Sequence, residues 1–181
     1  QNTTANNNVA IGHYALQQNT TGGSNVAVGS FALDASTTNS FNTAVGYNAL
    51  TTSNGANANS AVGYQAMRLS TTGNNNTSVG YESLYNTTTG SNNVALGVNA
   101  LYSNTTASEN TAVGANALYD NSTGTSNVAV GRMALGNNTT ASGNTALGTD
   151  AMFTSTTGSE NTSVGHNSMF ANTTGAYNVS V

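Results

Sequence analysis

The chain has no cysteine, no proline, no tryptophan and no lysine. Without cysteine there are no disulfides and no thiolate metal sites, and the redox compartment is not written in the sequence. The two arginines, Arg68 and Arg132, lie far apart, so the phosphate-neutralising patch of a nucleic-acid binder is missing. No run approaches the roughly 18 apolar residues that span a bilayer, and no basic region followed by an apolar one opens the chain. The segment therefore carries no membrane span of that kind and no visible address. Large apolar residues are scarce too: Leu, Ile, Val and Phe make up about 16% of 181 residues, below the rough 20% at which disorder is the first expectation. Disorder also expects a high net charge, whereas only 4% of residues are charged and the net is −4. Such a chain must order itself through backbone hydrogen bonds and close packing of small side chains.

What is present is a repeat. Gly12, Gly29, Gly46, Gly63, Gly80, Gly97, Gly114, Gly131, Gly148 and Gly165 are each 17 residues apart. Four residues before each stands Asn, at Asn8, Asn25, Asn42, Asn59, Asn76, Asn93, Asn110, Asn127, Asn144 and Asn161, and Asn178 opens an eleventh copy. Between Asn and Gly come Val/Thr/Ser, Ala/Ser and Val/Ile/Leu. After the Gly come two variable residues, Ala/Ser and Leu/Met, and a polar segment rich in Thr-Thr closes the unit. Residues 1–181 read as a single array of about ten coils, a window of a longer chain, because the first residue is not Met and Val181 stops inside a repeat.

Seventeen residues are too few for a helix pair, and a fixed Gly would weaken a helix in every copy. The Asn-Thr-Ala-Val segment alternates with period two, as a short strand does. The expected fold is all-β, a parallel β-solenoid (β-roll) with 17-residue coils stacked about 4.8 Å apart, a rod roughly 50 Å long. Gain or loss of one residue would exchange the faces and break the stack. The Asn column is expected to form a structural amide ladder along the axis, with a turn-initiating role as the alternative. The Gly column suits a positive φ or close backbone approach.

In a strand, Ala27 and Val28 point to opposite faces, and so would Ala49 and Leu50, yet both members stay small or apolar in every copy. A solitary solenoid needs one inward face. The small face is therefore expected to be covered by another copy, in a homotrimer; a sharp bend turning both faces inward is the alternative.

The Asn-Thr-Ala-Val-Gly-x-x-Ala-Leu unit, as in Asn42 to Leu50 and Asn110 to Leu118, resembles the head repeats of trimeric autotransporter adhesins of the YadA type. It resembles still more the repeats of phage tail-fibre proteins and related bacterial surface proteins. The resemblance covers nearly the whole chain and implies a trimeric left-handed parallel β-roll. The coil here is longer, 17 residues against about 14, and the Thr-Thr segment is a departure. A place on the cell surface or virion, outside the cell, is what the resemblance implies.

Catalysis needs converging, tuned groups. His13 and His166 share one repeat position nine coils apart, roughly 43 Å by strand spacing. The carboxylates Asp34, Glu82, Glu109, Asp120, Asp150 and Glu160 fall at scattered positions. The chain is expected not to be an enzyme and to hold no cofactor or metal. Tyr47, Tyr64 and Tyr81 follow the Gly, and Tyr85, Tyr102, Tyr119, Phe153 and Phe170 follow the Leu/Met. Stacking would line them into exposed stripes that hold host-surface glycans or cover coil edges. Asn19, Asn104, Asn121, Asn138 and Asn172 open a column of Asn-x-Ser/Thr sequons, candidates for glycosylation. The leading expectation is a rigid spacer in an extracellular fibre, such as an adhesin stalk or head, a phage tail fibre or a surface filament. The alternative is an adhesive module binding glycans through Tyr47, Tyr64 and Tyr81. Ice binding by the Thr-Thr column ranks behind both, because adjacent Thr side chains in a strand point to opposite faces.

Overall fold

A computed structural model describes residues 4–181. It is an all-β solenoid of about ten turns in which each 17-residue repeat is one coil. The strands are β1 (Val9–Ile11), β2 (Val26–Val28) and so on at every repeat, through β10 (Thr162–Val164) and β11 (Val179–Ser180). They form one parallel sheet in sequence order, with residue i opposite residue i + 17 at every step from Val9↔Val26 to Thr162↔Val179. No strand exceeds three residues, and no helix occurs among the described residues.

Three residues suffice because the rest of the coil is hydrogen-bonded to its neighbours as well. Phe31 donates its N–H back to His13 O (2.8 Å), whereas Leu33 donates forward to Ala49 O (3.1 Å). The Gly-to-Leu segment is thus a second wall tied to the coils on either side, which satisfies backbone groups that a loop would leave to water.

The interior is narrow. The central strand residue, such as Ala27, Ala44 or Ala61, is fully buried, and so are the Ala and the Leu or Met that follow the Gly, such as Ala49 and Leu50. Ala49 and Leu50 both point inward because Leu50 is left-handed, with φ 52°. The same holds for every Leu or Met in this column, φ 49° to 53°. A bulky residue in this region is disfavoured by about 1–2 kcal/mol. The coil tolerates it because the bend places the largest apolar side chain of each repeat in the core. The sharp bend is therefore the reason both residues are apolar, and the expectation that the small face looks outward to another copy is corrected: that face lines the coil's own core.

Candidate functional surfaces

The strand wall presents its alternate residues to solvent. With Ala inward at the strand centre, its neighbours on either side must point out. Val62, Val79, Leu96, Val130 and Leu147 are each 37–40% exposed, and Ile11 in the first coil is 60% exposed. An aliphatic residue occupies this column in every coil from Ile11 to Val164. It is the longest apolar surface of the described residues, and sequence reading looked for it on the wrong face.

The Asn column lies behind that wall. Each Asn Oδ1 accepts the backbone N–H of the next coil's Asn at 2.8–3.0 Å, from Asn25 onto Asn8 through Asn178 onto Asn161. From Asn8 to Asn161 each Nδ2 donates to a carbonyl fourteen residues on in its own coil, as Asn93 does to Ala107 O (2.9 Å). Direct amide-to-amide bonds are longer, 3.1–3.2 Å, and run from Asn76, Asn93, Asn127, Asn161 and Asn178 to the preceding Asn. The ladder exists, but its rungs pass mainly through the backbone. Asp in its place would have no donor for the carbonyl, and Ser could not span both partners.

The Gly column satisfies both physical reasons for glycine at once. Its φ values run from 124° to 143°. A Cβ on Gly97 would lie 2.5 Å from Gly114 O, whereas on Gly165, which has no described Gly above it, the nearest atom would be Ser168 Cβ at 3.8 Å.

Tyr47, Tyr64 and Tyr81 do stack, with centroids 5.5 and 5.1 Å apart and planes within 14°. Phe31 meets Tyr47 edge-on at 6.0 Å and links the stripe to His13 and Tyr14. The ring faces are turned on one another, so edges and hydroxyls face outward. Sugar stacking needs a ring face: Tyr64 is covered on both sides and Tyr47 by Tyr64 and Phe31, whereas Tyr81 is stacked on Tyr64 alone. Hydrogen bonding to Glu82, then burial, raises the Tyr81 phenol pKa, and burial raises that of Tyr102.

A second stripe runs through Tyr85, Tyr102 and Tyr119, with centroids 5.3 and 5.2 Å apart. Arg68 closes one end, its Nη1 donating to the Tyr85 hydroxyl (2.6 Å) and its guanidinium 5.8 Å from that ring's centroid. At the other end the next position is Gly136, and the column resumes at Phe153 and Phe170, 5.4 Å apart. The missing ring opens a cavity of about 390 Å³ lined by Asn99, Asn116, Tyr119, Asp120, Met133, Gly136, Asn137 and Phe153. Sequence reading passed over this gap. Its signal was the lone Gly in an otherwise largely aromatic run one place after the Leu/Met.

The sequon column is inside. Asn19, Asn104, Asn121 and Asn138 are buried, and the Nδ2 that would carry a glycan donates at 3.0–3.1 Å to the carbonyl three residues on, in half-buried Asn172 as well. A glycan there would require the coil to open, so the sequons are corrected to core turn residues. Several hydroxyls of the Thr-Thr column are also engaged: Thr71, Thr88, Thr105 and Thr139 donate theirs to the next coil's carbonyl at 3.0–3.2 Å. Among the described residues no three His, Cys, Asp or Glu side chains gather into a metal-ligating group. No family model, curated protein or solved structure matches the chain.

Proposed function

We propose that the chain is a passive mechanical element, a rigid spacer in an extracellular fibre such as an adhesin stalk or head, or a phage tail fibre, and that it works as a homotrimer. The supporting observation is the outward aliphatic column on the strand wall. A surface of this kind, repeated in every coil along the whole rod, is matched in spacing by a second parallel copy of the same array and by few other partners. Three copies facing inward would close the surface, and the resemblance to trimeric adhesin heads and tail-fibre repeats supports threefold over twofold symmetry. The spacer role rests on the repetition itself: stability that adds coil by coil allows length to change without redesign.

Light scattering on the purified segment tests the assembly. A mass three times 18.1 kDa is expected, falling to one when Val79 and Val113 are both changed to Asp. A monomeric unmodified segment overturns the trimer.

A further inference from the structure

We propose that the break in the second aromatic stripe, at Gly136, is a binding site for one neutral pyranose ring, a function beyond that of a spacer. The break is not a backbone requirement. Gly136 is absent from the left-handed positions, and other coils hold Gln17, Asp34, Thr51, Arg68 or an aromatic residue at the same register. What glycine provides here is the lack of a side chain. One ring position is left empty between Tyr119 and Phe153, two ladder steps apart in sequence register. Phe153, tilted 28° from Phe170, leans into the space, so that a Cβ at 136 would be 3.0 Å from two of its ring carbons.

The gap differs from the interior of both stripes in leaving a ring face uncovered beside an empty rung. Tyr102 is stacked on both sides, and Tyr85 is covered by Tyr102 and Arg68. Tyr119 is stacked on Tyr102 alone, and its other side looks into the cavity. A volume of about 390 Å³ lies within the range of small-ligand sites. Around the two rings stand three amides, Asn99, Asn116 and Asn137, and the carboxylate of Asp120. The Asn99 amide oxygen is buried with no hydrogen-bond partner, an unmet acceptor among the residues that line the gap. Apolar faces with an amide and carboxylate rim match a pyranose, whose C–H face lies on aromatic rings while its equatorial hydroxyls exchange hydrogen bonds with amides. A purely aromatic ligand would use the walls and leave the rim unpaired. No lining residue is cationic, and Asp120 repels anions, so an acidic sugar is disfavoured.

Binding of methyl glycosides of glucose, galactose, mannose and N-acetylglucosamine, measured by saturation-transfer NMR and calorimetry on the whole segment, tests this. N-acetylneuraminic acid and N-acetyltyrosine amide serve as contrasting probes. At least one neutral glycoside is expected to saturate the segment in the millimolar range. Gly136→Tyr, which restores the missing rung, should weaken it at least tenfold. Should that variant not fold, Tyr119→Leu, which removes one wall, should have the same effect, while Tyr47→Leu in the closed stripe should leave binding unchanged. The proposal is overturned if no neutral glycoside binds, if the acidic sugar or the tyrosine amide binds in preference, or if Tyr47→Leu weakens binding as much as filling the gap does.

Discussion

The two long walls of the coil follow different rules. On the strand wall, from Asn to Gly, backbone approaches backbone across the coil boundary, and the residue types hardly change from one repeat to the next. On the wall after the Leu, side chains lie between backbone and solvent, and one register holds Gln17, Asp34, Thr51, Arg68, Tyr85 and Gly136 in turn. Main chains are hydrogen-bonded between coils on both walls, so sequence is constrained where a side chain is buried or has no room and free where it projects outward. Most of what distinguishes one coil from another therefore sits at the outward positions after the Gly and after the Leu.

Two glycines give the sharpest way to break this comparison. Gly97→Ala places a methyl 2.5 Å from Gly114 O at φ 143°. Neither backbone can yield without breaking the ladder, so a loss of about 4 kcal/mol or more is expected in chemical denaturation. Gly136→Ala meets the edge of the Phe153 ring at 3.0 Å, which can swing back, and Met133 O at 3.1 Å, with no positive φ to strain it, and should cost about 1 kcal/mol. Similar losses at the two sites would mean that the walls do not differ.

The interior joins the two walls and offers a smaller effect. The strand centre is Ala in most coils, but Ser78 and Ser163 interrupt it, and in the same two coils Ser83 and Ser168 replace the Ala before the Leu or Met. Ser78 and Ser83 are fully buried and share a hydrogen bond between their hydroxyls, and Ser78 also donates to Ser83 O (2.9 Å). Ser163 likewise donates to Ser168 O (2.8 Å). Ser78→Ala alone should cost about 1–3 kcal/mol, because the buried Ser83 hydroxyl then keeps only a long bond to Gly80 O (3.4 Å), and Ser78→Ala with Ser83→Ala should return to within about 1 kcal/mol of the parent. Additive losses in the double-mutant cycle would show that the hydroxyls act separately.

The smallest effect concerns Asp34 on the variable wall. Burial raises its carboxyl pKa, and one of its oxygens is buried without a partner. A carboxyl whose folded pKa lies above its unfolded value makes the folded state bind protons more readily, so its contribution to stability declines as pH rises through that interval and stays unfavourable above it. Asp34→Asn should raise the melting temperature at neutral pH slightly, by an amount that solvent screening holds to about 0.5 kcal/mol or less, with the gain fading as pH falls below the carboxyl range. A gain that is the same at all pH values would rule out the charge as its cause.

The 17-residue coil, the parallel strand, the Asn column and the Gly column were all legible in the chain. Each depends on atoms of neighbouring coils meeting at every turn, so the same residue must recur at the same place. The tertiary structure decided what a period cannot carry, which is the direction each residue faces. Left-handed φ at Leu50 and its counterparts turns two consecutive apolar residues inward, and so moves the exposed apolar surface to the Val column. The same path buries the sequon Asn, so that Asn138 reads as a surface motif but serves as a core turn. The Gly136 gap was present as a single letter. It becomes a site only because stacking places Tyr119 and Phe153 on either side of it, a relation set by contact between coils rather than by order along the chain.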